Sequence, residues 1–191
     1  MNRNAHSLLQ VLLIPLSLLT VNSRIATGQA EPTTGPFGLQ RGMTVKQVVD
    51  LVGKGSVKGE SGDILTLTSA PKPHPAFRLY RLSFSPIEGL LRIFVSGKEI
   101  QTNGYGDGLR SAFTDITNSV SHAYGLPETT DYPKSGSTAS KAHSWMTELL
   151  KNDRMLASMW DPKPIPPNGV TRVLLEAIAL SPEKGYLRLV Y

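Results

Sequence analysis

Histidine is the first residue type to test for chemistry, because it can serve as base, proton carrier or metal ligand near neutral pH. The chain has four. His6 falls in a leader expected to be removed, which leaves His74, His122 and His143. Metal sites need ligands gathered on one side of a helix or turn. His122 has no acid or histidine three or four positions away, and Glu148 follows His143 by five residues, on a different side of a helix. His74 stands in the extended run Pro71-Lys72-Pro73-His74-Pro75. No metal ligand set and no cofactor are expected.

Nucleophilic chemistry has little to build on. The 191 residues include no cysteine and no Gly-x-Ser-x-Gly turn. Triads are assembled in space and not by spacing, so a hydrolase using His74 or His143 as base is the enzymatic alternative. The turn Gly104-Tyr105-Gly106-Asp107-Gly108 precedes a helix, where anions often bind. Its glycines recur every second residue, unlike a dinucleotide fingerprint, and Asp107 would cap the helix and repel a phosphate.

Two segments suggest binding instead. Arg78, Tyr80, Leu82 and Phe84 alternate along one face of an expected strand, while Phe77, Leu79 and Arg81 begin the other. Arginine and aromatic residues are favoured interface anchors; the competing reading is a central strand buried on both faces. Pro162-Lys163-Pro164-Ile165-Pro166-Pro167 should be extended and semi-rigid. Arg78, Tyr80, Arg81, Pro164 and Pro166 are therefore the candidate partner-binding residues.

These groups must be positioned by helices and strands. Thr44 with Gln47 forms a capping box for a helix carrying Val45, Val48, Val49 and Val52, and Gly53 stands where it would stop. A glycine-rich loop over 53–59 follows. Strands are expected at Ile64–Thr68, Phe77–Ser85, Leu90–Ser96 and Glu99–Thr102, joined by turns too short for crossovers and hence antiparallel. Leu109, Ala112, Phe113, Ile116, Val120 and Ala123 mark a second helix ended by Gly125 and Pro127. A third covers Ala139–Leu150. Strands at Arg154–Trp160, Val170–Leu180 and Tyr186–Tyr191 complete the chain, with Trp145, Met146, Leu149, Met155, Met159 and Trp160 expected in the core. The pattern is an α+β domain with about three helices against antiparallel strands, in the order α-β4 then αα-β3. It occupies residues 37–191, with conceivable halves at 37–103 and 104–191.

Residues 1–30 read as a cleavable signal peptide. Arg3 supplies the positive start, Leu8–Val21 the apolar stretch, and Gly28-Gln29-Ala30 the small residues before a cut. The apolar run is shorter than the roughly 20 residues of a membrane span. Residues 31–36 read as a short flexible lead. Removal of Arg3 and Arg24 lowers the net charge from +5 to +3, with 18 basic against 15 acidic residues remaining. No clustered basic run supports nucleic-acid binding.

Phe37-Gly38-Leu39-Gln40-Arg41-Gly42-Met43-Thr44, followed by Val48 and Gly53, resembles the opening of small outer-membrane assembly lipoproteins of the SmpA/OmlA type. That resemblance implies a non-enzymatic protein that binds other envelope proteins. The family's domain has two helices before a three-stranded antiparallel sheet, a plan shared with β-lactamase-inhibitor-like domains. Its members carry a lipidated cysteine, which this chain lacks, and here strands follow the first helix directly. Taken whole, the chain resembles an uncharacterised exported bacterial family. The expectation is an exported, periplasmic or secreted binding module whose partner is a protein of the envelope or medium. Its narrower form is an inhibitor or immunity protein acting on an extracellular enzyme. Carriage of a small apolar ligand between helix and sheet has no direct support in the residues.

Overall fold

Thr44 starts the first helix as its capping box predicts. Its hydroxyl accepts from the Gln47 N–H at 3.2 Å, and the Gln47 carboxamide accepts from the Thr44 N–H at 2.8 Å. The helix α1 (Val45–Val52) ends at Gly53, whose φ of 76° closes it without the strain a side chain would bring. The computed structural model describes residues 35–133 and 144–191. The expected signal peptide, most of the 31–36 lead, the first turn of the expected third helix and His143 lie outside the described residues.

Among the described residues two further helices, α2 (Asp107–Tyr124) and α3 (Trp145–Leu150), join nine strands. These are β1 (Val57–Ser61), β2 (Ile64–Leu67), β3 (Phe77–Ser85), β4 (Gly89–Gly97), β5 (Ile100–Gln101), β6 (Glu128–Pro133), β7 (Arg154–Trp160), β8 (Val173–Ser181) and β9 (Lys184–Val190). The fold is α+β, and every strand pair is antiparallel. Strand order is β1-β2-β3-β4-β9-β8-β7-β6, with β5 also paired to β9.

Two strands were not anticipated. β1 begins within the end of the glycine-rich stretch expected to be a loop over 53–59, and β6 separates α2 from α3, so the expected αα-β3 run is interrupted. β5 does not turn back on β4. It continues beside β9, pairing Ile100 with Gly185 and Gln101 with Lys184. Gly97 allows this path, since a Cβ there would stand 3.0 Å from the Leu187 carbonyl oxygen.

Alternation along the strands sends one set of side chains into the core. Leu65, Leu67, Tyr80, Leu82, Val95 and Leu189 form its sheet floor. Leu109, Phe113, Ile116 and Val120 close it from α2, and Val48, Trp145 and Met146 join from the other helices. Gly185 admits Leu109, whose side chain would lie 2.7 Å from an added Cβ. The helices thus share one face of the sheet.

The start of α2 differs from expectation. Gly106, not Asp107, is its N-cap, at a φ of 76°. The free helical N–H groups are met from outside: Thr102 Oγ1 accepts from Gly108 at 3.0 Å and Asn103 Oδ1 from Asp107 at 3.3 Å. The indole of Trp145 lies where a Cβ on Gly106 would project. At the sheet edges, β1 carries a register break between Val57 and Gly59, and β6 terminates in Pro133.

Candidate functional site

The sheet face turned away from the helices carries the opposite set of side chains. Leu79, Phe94, Val190, Leu174 and Ile178 are half-buried there and lie outside the core cluster. Met155 and Met159 share this face, so these two expected core residues belong elsewhere. Across β2, β3, β4, β9, β8 and β7, the outward set contains one acid, Glu176. Arg188 neutralises it at 2.7 Å.

Near the middle of that face, Arg81 on β3 stands directly opposite Phe94 on β4. The Arg81 guanidinium carbon lies 5.9 Å from the Phe94 ring centre, and that of Arg92 lies 5.8 Å from it. One phenyl ring is thus flanked by two exposed cations. Among the described residues neither guanidinium has a carboxylate partner. Such stacks hold the cations without discharging them.

The structure separates the residues expected to bind together. Arg81 lies on the open face as described. Arg78 occupies a register break between Phe77 and Leu79, which turns Phe77 into the core and leaves Arg78 exposed at the end of β3. Tyr80 is 1% exposed on the core side, so its ring is withdrawn from any partner surface. Pro164 and Pro166 lie in the loop between β7 and β8, whose base is clamped by Asp161 and Arg172 at 2.7 Å. That ion pair holds the Asp161 carboxyl below its ordinary range. No described hydrogen bond links the proline loop to β3. Arg92 and Phe94 were missed, although their alternation with Ile93 and Val95 puts them opposite the buried set.

The histidines also part company. His122 is exposed on α2. His74 lines a cleft between α2 and the sheet, together with Phe37, Phe77, Tyr124 and Tyr191. Its Nδ1 accepts from the Ala76 N–H at 3.2 Å, and burial lowers its pKa. No described carboxylate bonds to it, so a hydrolytic base here would lack an orienting acid. Among the described residues, no three His, Asp or Glu side chains converge as metal ligands. No described helix is long and apolar enough to cross a membrane.

No family model, no curated protein and no solved structure matches this chain.

Proposed function

We propose that the chain is an exported, non-enzymatic module that binds an acidic surface of another envelope or secreted protein through the open face of its sheet. The observation that carries this reading is the pair of uncompensated guanidinium groups held against Phe94. Arginine and aromatic side chains anchor interfaces because they combine large contact area with charge-assisted hydrogen bonds. A ring that already fixes both guanidinium groups reduces the ordering cost of binding. The half-buried aliphatic positions around the stack supply apolar contact, and a carboxylate-bearing partner would supply the missing counter-charges. Export rests on the leader pattern in residues 1–30. The Gly42-Met43-Thr44 helix start, which resembles envelope-assembly domains, points toward the same class of role. An inhibitor of an extracellular enzyme is the narrower form of this reading.

The test is site-specific photo-crosslinking in the native envelope and medium fractions. A photoreactive residue at Phe94 or Leu79 should capture one partner, whereas the same residue at Thr114 or Asp115 on α2 should not. Arg81→Glu with Arg92→Glu should abolish capture while leaving the thermal melt within about 2 °C, as expected for surface changes. Equal capture from both faces, or crosslinks formed only within the chain itself, would overturn the proposal.

A further inference from the structure

We propose that the cleft between α2, β9 and the Gly35–Phe37 turn binds a small, uncharged aromatic molecule carrying a hydrogen-bond acceptor. This inference concerns the helix side of the sheet and stands independently of the protein-binding face.

The cleft has a volume of about 290 Å³. The cleft opens to solvent along one side, so a planar two-ring molecule would lie against its apolar wall with one edge in water. Phe77, Ile116, Val120 and Leu189 make the walls apolar, and among the described residues no Asp, Glu, Lys or Arg lines them. A charged ligand would give up part of its hydration there and find no counter-ion among the described lining residues. A wider hollow of about 480 Å³ beside the β3–β4 turn is rimmed by Asp63 and Glu88 and lacks this character.

Phe37 gives the cleft its aromatic bias. Its φ of 58° is a left-handed conformation that bulky residues seldom adopt. Strain of that kind gathers at ligand clamps. The chain is pinned there by the bond from the Lys72 N–H to the Phe37 carbonyl at 2.9 Å. The Phe37 ring meets Phe77, Tyr80 and Tyr191 edge-on, at centroid distances of 5.8, 5.2 and 5.8 Å. Edge-to-face packing of this type would extend naturally to a planar guest.

The polar groups define what else the guest must carry. The Tyr124 hydroxyl accepts from the Asn168 carboxamide at 3.2 Å, which leaves its own O–H free to donate. The bond from Ala76 occupies His74 Nδ1, so the neutral ring carries its proton on Nε2. Beside the Ser119 hydroxyl, which donates to the Asp115 carbonyl at 3.0 Å, these two lining residues offer donors, and the complement to them is an acceptor.

Quinoline and naphthalene share a two-ring shape and differ in the acceptor, and N-methylquinolinium, one methyl larger, replaces that acceptor with a positive charge. Calorimetric titration of the purified protein should show one saturable quinoline site, with N-methylquinolinium at least about tenfold weaker. Ala123→Trp, at an exposed position of α2 that borders the cleft, should weaken quinoline at least about tenfold without changing the melt. Ser119→Phe is a second blocking variant should the first disturb folding. Tyr124→Phe should weaken quinoline several-fold and leave naphthalene unchanged. Absence of saturable quinoline binding, equal binding of the cation, or full binding in a folded blocking variant would each overturn the proposal.

Discussion

Arg154 Nη1 donates to Asp131 Oδ1 at 2.8 Å, joining β7 to the edge strand β6 beneath α3. The same oxygen accepts from the Trp145 indole N–H at 3.2 Å, and Arg154 Nε donates to Glu148 at 3.0 Å. The Arg154 side chain is only 11% exposed. Removing one member of such a network leaves buried donors short of an acceptor. Asp131→Ala should cost about 2 kcal/mol in urea unfolding, and Asp131→Asn less, because its carboxamide oxygen can still accept from Trp145. Equal losses in the two variants would show that the acceptor role is unimportant.

Gly106 combines a left-handed backbone with a ring against its Cα. Gly106→Ala must meet both the unfavourable φ and the collision with Trp145, and should cost about 3 kcal/mol. Gly62 supplies the control. Its φ is 59°, but nothing lies within 4 Å of an added Cβ, so Gly62→Ala should cost only about 1 kcal/mol. Denaturation midpoints of the two variants separate steric clash from backbone strain.

The capping box of α1 serves a helix of only 8 residues. Short helices depend on their ends. Thr44→Ala should lower stability by about 1 kcal/mol, whereas Thr44→Ser should retain most of it. Chemical denaturation of both variants provides the check.

His74 makes the stability respond to acid. Burial lowers its pKa from the ordinary 6.5. Above that value both folded and unfolded states hold the ring neutral, and the burial cost of its charge is not felt. As the pH falls through 6.5 the unfolded chain binds a proton that the folded one resists, so stability is lost until the folded pKa is passed. Melting temperature measured from about pH 8 down to about pH 5 should therefore fall less in His74→Gln than in the parent.

Much of the framework was legible because strong local signals met no tertiary opposition. The Thr44–Gln47 box, the α2 stripe from Leu109 to Val120 and the bounds of β3 all belong to this class. β6 escaped notice because Glu128-Thr129-Thr130-Asp131-Tyr132-Pro133 is an edge strand with few apolar positions to alternate. β1 escaped because Val57-Lys58-Gly59-Glu60-Ser61 has one apolar residue and no alternation, and only pairing with β2 makes it a strand. The break at Arg78 reversed the expected facing of Phe77, since one extra residue shifts the alternation of everything before it. The open face and the cleft were less legible still. Arg81 meets Phe94, and Phe37 meets Tyr191, only through pairings and packing between segments distant in sequence.

Each flank of the described sheet carries one feature that interrupts a regular ladder. At one side the break at Val57 and Gly59, with Lys58 and Glu60 in the strand, spoils the regular ladder another backbone would need. At the other, Pro133 withholds an N–H. Recognition by strand addition, which reads mainly backbone and tolerates many sequences, is hindered at those positions. A partner of the kind proposed would then have to be read by its side chains, on the broad faces where the arginines and aromatic rings are displayed.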